Sequence, residues 1–446
     1  MVNPLDLILI LIYFIIVIII GIWAKRGETQ EGYLIGERKV GTLLLTGTIV
    51  ASLFGANSMV TYSAFVYQYG ISAIWAYIGT SAGLLILIFL SKKLKEIADK
   101  NKFYTFADYF YDKYGNKIGA LIGFLIFFYY VGFLVIQFIA GGSILSILTG
   151  WSYNLSILIM GLVVIFYVVL GGFQAVIKTD LFQYFLIIFL LLIVSLVMFG
   201  KSKVINPSDL NILGSNIGNS AVFFLYGMIT IPIAAELWQR VYAGRNFKVI
   251  KHSLIYSSII FLILGIFMTI IALSVKTNFP DIDPKDTVAT GFLNLLPIVI
   301  SGLALVVFFS AIMSTIDTYI FMLSLNFFKD FISRYNYSKK IVMNVRILSI
   351  LIGFLGMFFA ILFSDLIDVV FFLGATTFAM VPAIWGSFHF KLKRISIFLS
   401  IIIGIISAII VLYIIGNVPY MAAIPFSVAI ITLLSSQLLF IKYPEL

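Results

Sequence analysis

The chain has 446 residues, 62% hydrophobic and 11% charged, with a mean hydropathy of +1.13 and a formal net charge of +10. Such a composition lies far from that of soluble globular domains and leaves no length for a sizeable aqueous domain. Cysteine is absent, which excludes disulfides, thiol catalysis and Cys-based metal sites.

Windows of roughly 20 apolar residues predict an all-α polytopic membrane protein with about 13 transmembrane helices. Their limits are 5–24, 42–68, 71–91, 117–148, 153–171, 177–199, 218–238, 252–275, 292–327, 342–364, 367–388, 395–415 and 420–441. The first run lacks a positive n-region and an A-x-A-like cleavage site, so it is expected to be a retained helix and not a signal peptide. With the N-terminus outside, all but four of the 29 Lys and Arg residues fall on the cytoplasmic side, Arg26, Arg240, Arg334 and Lys339 among them. Only Lys201, Lys203, Lys276 and Lys285 stay outside. The positive-inside rule predicts this bias, which makes the net charge a topology signal and places the C-terminus in the cytoplasm of a multi-pass plasma-membrane protein. The run from Lys92 to Lys117 is interleaved with Glu96, Asp99, Asp108 and Asp112. It therefore reads as a connector at the membrane surface and not as a nucleic-acid patch. Connectors 200–217 and 276–291 carry Pro207, Pro280 and Pro284 and are loop-like. No Pro- or Ser-rich linker divides the chain, so residues 1–446 form one transmembrane domain.

Two spans look interrupted. Phe54-Gly55-Ala56-Asn57-Ser58-Met59 places a flexible Gly and two helix-weak polar residues inside the second span. Five spans later, Pro232 in Thr230-Ile231-Pro232-Ile233 removes a backbone donor inside the seventh. Each taken singly is also compatible with a simple kink. Together their spacing fits a five-plus-five inverted repeat, residues 42–199 and then 218–388, with one extra helix in front (5–24) and two behind (395–441). Secondary transporters place their sites where such paired helices unwind.

The ninth span contains Ala311-Ile312-Met313-Ser314-Thr315-Ile316-Asp317-Thr318. Polar groups at membrane depth are costly and usually face a cavity, an ion path or another helix. Ala311, Ser314 and Thr315 share one helix face at i, i+3 and i+4. Their hydroxyls, with backbone carbonyls of Ala311, Ala56 and Met59, would make a set of uncharged oxygen ligands suited to a small monovalent cation. Hydroxyls bonding back to their own helix are the competing role. Asp180 either pairs with Lys178 or Arg240 at the inner boundary or guides the ion inward. Asp317, with Asp180 and Thr318, is a candidate second cation site. Glu236, ahead of Trp238-Gln239-Arg240, is expected to ion-pair with basic loop residues. Candidate solute-lining residues are Asn57, Ser63, Tyr77, Thr80, Gln137 and Thr230, with helix packing as the competing role for each. No Arg or Lys stands in the middle of a predicted span to clamp a carboxylate; Lys117, Lys178 and Arg346 fall within the first few residues of theirs.

At these residues the chain resembles the sodium/solute symporter family, which includes sodium–galactose, sodium–proline, sodium–pantothenate and sodium–sialic acid transporters. The likeness rests on Ala311-Ile-Met-Ser314-Thr315-Ile-Asp317, with Asp330 downstream, and on Gly171-Gly172-Phe-Gln-Ala-Val-Ile-Lys-Thr179-Asp180-Leu-Phe-Gln183. Glu236-Leu-Trp238-Gln239-Arg240 and Thr105-Phe-Ala-Asp-Tyr-Phe-Tyr-Asp-Lys-Tyr-Gly115 support it. The resemblance implies a LeuT-like inverted-repeat core. It also implies that Ala56, Met59, Ala311, Ser314 and Thr315 match the main sodium site, and that Asp180 matches an acid linked to sodium release or a second sodium. Tyr77 stands where the sugar-carrying members have Glu, which argues against a sugar. The expected function is a sodium-coupled secondary active symporter that imports a small organic solute (an amino acid, a monocarboxylate or similar) by alternating access. A monomer in a lipid bilayer suffices for that, with co-transported sodium as the coupling ion. The rivals are proton coupling, with Asp180 or Asp317 as carrier, and a transporter-like membrane sensor. No H-E-x-x-H, Cys nucleophile or paired His points to an enzyme.

Overall fold

The computed structural model describes residues 4–25, 29–214, 216–333, 340–363, 366–415 and 423–442. Arg26, Arg334 and Lys339 of the charge count, residue 364 and residues 420–422 of the last predicted span lie outside these ranges. In chain order the helices are α1 (Pro4–Ala24), α2 (Gln30–Ile35), α3 (Thr42–Leu53), α4 (Tyr62–Tyr69), α5 (Trp75–Asn101) and α6 (Phe106–Tyr114). Then come α7 (Asn116–Thr149), α8 (Tyr153–Phe199), α9 (Ile217–Thr230), α10 (Ala235–Ala243), α11 (Phe247–Asn278) and α12 (Thr287–Asn294). The series ends with α13 (Ile298–Phe327), α14 (Ile341–Leu362), α15 (Leu366–His389), α16 (Arg394–Ile415) and α17 (Ala423–Lys442).

By length and composition, eight helices of the described residues can cross a membrane, or nine if the pair Ile217–Ile233 and Ala235–Ala243, bent by 46°, counts as one span. Two of the eight double back at a glycine. In α8, Gly172 has φ +52° and ψ −140°, a conformation that side-chain-bearing residues avoid. Tyr167 before it and Thr179 after it both donate to Asp317 Oδ2, at 2.8 and 3.2 Å. A straight helix would hold those two donors about 18 Å apart along its axis, so the chain turns back there. Gly70, at φ +66°, does the same between α4 and α5. Across that turn Tyr77 reaches back to donate to Ser58 O at 2.7 Å, and its ring meets Tyr62 at 4.5 Å.

The core lies around α3, α8, α11 and α13, where the middle of α13 is fully buried. Glycines let α5 approach α9: a Cβ on Gly79 would stand 2.1 Å from Phe224 O, and one on Gly83 2.6 Å from Gly227 O. This is the small-residue packing that bilayers favour, because lipid supplies no hydrophobic push between helices. α15, α16 and α17 pack on one another, and α15 joins them to the rest through α7 and α9.

Three expectations change. The predicted span 292–327 is two helices, because Pro297 has no N–H to continue α12 and serves instead as the N-cap of α13. The connector 276–291 is therefore largely helical, not a loop. The Lys92–Lys117 connector holds α6, whose first turn is fixed by a capping box between Thr105 and Asp108. Asp108 thus serves a helix end, and solvation is not its role.

Candidate functional site

The first break lies at Phe54–Gly55. α3 ends at Leu53, Phe54 leaves helical geometry (φ −94°, ψ +67°), and a π-helical turn over Asn57–Thr61 leads into α4. A helix end strands its last carbonyls and its successor's first N–H groups, and here side chains meet them. Ser314 Oγ donates to Ala51 O at 2.9 Å, Thr315 Oγ1 to Ser52 O at 3.4 Å, and Ser58 Oγ to Leu53 O at 2.8 Å. Gln137 Oε1 accepts from Ala56 N at 2.7 Å. Gly55 is needed at this point, since a Cβ would stand 2.5 Å from Thr315 Oγ1 and 2.7 Å from Gln137 Oε1.

The two segments that carry the candidate sodium ligands thus lie in contact. The hydroxyls meet the carbonyls of Ala51 and Ser52, not those of Ala56 and Met59. Met59 O accepts from Tyr62 N inside the π-helical turn. The orphaned carbonyls of a broken helix precede the break, and the break falls at Phe54. Ser314 and Thr315 also bond back to Ala311 O, at 2.9 and 3.1 Å, so both roles weighed for them occur together. Five oxygens, two hydroxyls and three carbonyls, are thereby gathered between α3 and α13, and all five residues are buried.

The second break is at Ile231–Ala234, where Pro232 opens a 3-10 turn and Ala234 is extended (φ −68°, ψ +123°). The redirected α10 carries Arg240 inward. Arg240 had counted as a cytoplasmic loop charge; it is instead only 1% exposed. Its guanidinium bonds Thr48 Oγ1 at 3.1 Å, Thr318 Oγ1 at 2.7 Å, Glu236 O at 3.1 Å and Asp180 Oδ2 at 3.4 Å. Thr48 also donates to Asp180 Oδ2, at 2.5 Å. Of the partners weighed for Asp180, Arg240 is the one found. Lys178 instead lies over the Trp23 ring, 4.4 Å from its centroid.

Asp180 and Asp317 are both fully buried, with Arg240 and Thr318 beside them. One guanidinium faces two carboxyls, and Asp180 Oδ1, Asp317 Oδ1 and Gln183 Oε1 accept no hydrogen bond among the described residues. Buried oxygens left in this state are costly, and together they form a cluster that would welcome a further cation.

Between the two breaks lies a cavity of about 260 Å³. Of the candidate solute-lining residues, Asn57, Tyr77, Thr80, Gln137 and Thr230 line it, together with Gly55 and Thr315; Ser63 is buried outside its wall. Glu236 corrects a second expectation. It lines this cavity, its carboxylate accepts from the Tyr130 hydroxyl, and it has no basic partner among the described residues. Sequence reasoning missed Tyr129, Tyr130, Phe133, Tyr226, Phe261 and Tyr319 in the wall. Their only signal is an aromatic content of 16%, which does not say which rings face inward.

Comparison with known proteins agrees with this architecture. The chain is 27% identical over 328 residues to a sodium/pantothenate symporter of Haemophilus influenzae, covering 68% of this chain and 66% of that protein. A sodium/proline symporter of Staphylococcus aureus (strain Newman) is 28% identical over 183 residues, 40% of this chain and 36% of its own. The chain therefore spans about two thirds or less of these relatives. Among solved structures, a Na+-coupled sialic acid symporter in a substrate-bound outward-open state superposes with a TM-score of 0.81 at 17% identity, over 98% of each chain. MhsT in complex with L-phenylalanine gives 0.60 at 12% identity, over 90% of this chain and 98% of its own. These two likenesses establish the fold alone, the all-helical LeuT-like architecture. Residues 33–390 match the family model described as the sodium:solute symporter family, and the chain belongs to that family.

Proposed function

We propose that the protein is a sodium-coupled symporter that imports a small organic solute by alternating access. The observation that carries this reading is the contact of Ser314 and Thr315 with the carbonyls freed at the Phe54 break. Each hydroxyl already donates its proton to a carbonyl and keeps lone pairs for an ion. We place the main sodium among Ala311 O, Ser314 Oγ and Thr315 Oγ1, with backbone oxygen from the α3 side. Ala56 and Met59 are the oxygens the family resemblance implies, and Ala51 and Ser52 the ones these hydroxyls touch. The ion would tie the broken segment to α13 and so hold the solute cavity in shape. Asp180, Asp317 and Thr318 are proposed as a second sodium site or the release path, with Arg240 setting how much negative charge the ion meets.

We further propose about 13 membrane crossings, counting the α4–α5 and α8 hairpins as two each. Residues 42–199 and 218–388 would be inverted repeats in one domain, 5–24 the extra N-terminal helix, and 395–441 the two extra C-terminal ones. The N-terminus is placed outside the plasma membrane and the C-terminus in the cytoplasm, and a monomer holds the whole site. Moving one positive charge across 100 mV yields about 2.3 kcal/mol, and a tenfold sodium gradient adds about 1.4 kcal/mol. One sodium can thus drive accumulation of a few hundredfold.

The experiment is uptake into proteoliposomes, with the solute found by a thermal-shift screen in sodium. Uptake should stop when external sodium is replaced by potassium with a pH gradient kept. Undiminished uptake under that exchange would instead assign the coupling to protons at Asp180 or Asp317.

A further inference from the structure

We propose that the solute is an organic amine, bound as its ammonium ion by Glu236 and the rings beside it. This inference rests on the reading of the central cavity as the solute site, and it names the chemistry that the site takes.

The first ground is charge. Among the described residues the cavity wall carries one carboxylate, Glu236, and no Lys, Arg or His. Glu236 is 4% exposed, and a buried charge needs a partner. The one nearby cation, Arg240, is committed elsewhere: its side chain bonds the Glu236 backbone carbonyl but not its carboxylate, and its charge faces Asp180. Tyr130 supplies a neutral hydrogen bond to the carboxylate and no charge. Glu236 also sits in the first turn of α10, where the helix dipole favours the anion. An ammonium ion on the solute completes the pair. A carboxylate solute would meet this anion with no base in the wall to offset it.

The second ground is the surface around that carboxylate. The Tyr130 ring lies 5.3 Å from Tyr319 and 5.1 Å from Tyr129, and all three line the cavity. Aromatic rings attract organic cations that lie over their faces, more strongly where water is excluded. The third ground is hydrogen bonding. Asn57 Oδ1 and Thr61 Oγ1, in the same wall, accept nothing among the described residues. The amide oxygen can only accept and the hydroxyl can accept or donate, so both can take an N–H of the solute. The volume, about 260 Å³, falls at the small end of organic-ligand pockets.

The test uses purified full-length protein in sodium and, separately, in potassium. Thermal stabilisation is measured with ethanolamine, benzylamine and choline, and with benzyl alcohol and benzoate as the matched neutral and anionic forms. The expected result is stabilisation by at least one amine, in sodium, with none from benzyl alcohol or benzoate at equal concentration. In Glu236→Gln the amine affinity should fall at least tenfold while the sodium-induced shift is kept. That kept shift also shows that the variant is folded. Should Glu236→Gln not fold, Glu236→Asp keeps the charge but retracts it, and should weaken the amine with the sodium response intact. The amine assignment is overturned if benzoate or benzyl alcohol stabilises as well as the amines. It is likewise overturned if no amine acts, or if the Glu236 variant binds amine like the wild type. Loss of the sodium response in the wild type would overturn the transport reading itself, a separate outcome.

Discussion

Thr315→Val separates a sodium ligand from a structural hydroxyl, because the geometry assigns the two roles very different weights. The substitution keeps shape and β-branching and removes one oxygen. In the structure that oxygen donates to Ser52 O at 3.4 Å, a long bond, and to Ala311 O at 3.1 Å within its own helix. A typical intramolecular hydrogen bond contributes about 0.5–1.5 kcal/mol net, and a long one belongs at the low end. The expected loss of folding stability is therefore below about 1 kcal/mol. If the same oxygen faces sodium, the lost contact is to a full charge, for which about 1.5–3 kcal/mol is usual. The sodium concentration for half-maximal effect should then rise roughly ten- to hundredfold, while the melting temperature without sodium moves by only a few degrees. The assay is a sodium titration of thermal stabilisation in potassium-balanced buffer, for wild type and variant side by side. A sodium midpoint unchanged within about twofold would show that Thr315 is structural and would refute the placement of the ion.

Three further outcomes are expected. Gly55→Ala forces a methyl against Thr315 Oγ1 and Gln137 Oε1; overpacking of this kind costs about 1–3 kcal/mol, and sodium titration of the variant should also show weakened binding. Gly172→Ala combines positive φ with a Cβ 2.6 Å from the Tyr33 ring, so folding yield after membrane extraction, followed by size-exclusion chromatography, should drop sharply. Arg240→Met leaves Asp180 without its counter-charge and should cost about 3–5 kcal/mol; adding Asp180→Asn should restore part of the melting temperature, and purely additive losses would mean that the pair is not coupled.

The membrane class, both helix breaks and the hydroxyl pair were legible because each is a local departure from a strong pattern. Gly55 and Pro232 interrupt apolar runs, and Ser314 and Thr315 stand out within one. What followed a break was less legible. Helical phase is lost at Pro232, so the periodicity of α9 says nothing about where Glu236 and Arg240 point. Counted by position alone, Arg240 looked like a cytoplasmic loop charge, and only the 46° bend turns it inward. The register of the orphaned carbonyls depended on whether the chain left helical geometry at Phe54 or later, and composition does not distinguish these. Pro297, a clear stop signal, was hidden by the apolar residues on either side of it. The aromatic wall went unread because rings packed in a core and rings facing a cavity have the same spacing.

The guanidinium of Arg240 joins α10 to α3, α8 and α13 at once. A backbone clasp lies close by in sequence: Val40 N donates to Ala243 O at 3.1 Å, and Arg245 N to Val40 O at 3.0 Å. The residue leading into α3 is thereby stitched to the end of α10. Pulling those two ends apart would sacrifice both main-chain bonds, whereas swinging them as a unit sacrifices neither. An opening at this end of the helices is therefore cheapest when the paired ends travel together past α8 and α13, and crosslinking residue 40 to residue 244 should leave such travel unhindered.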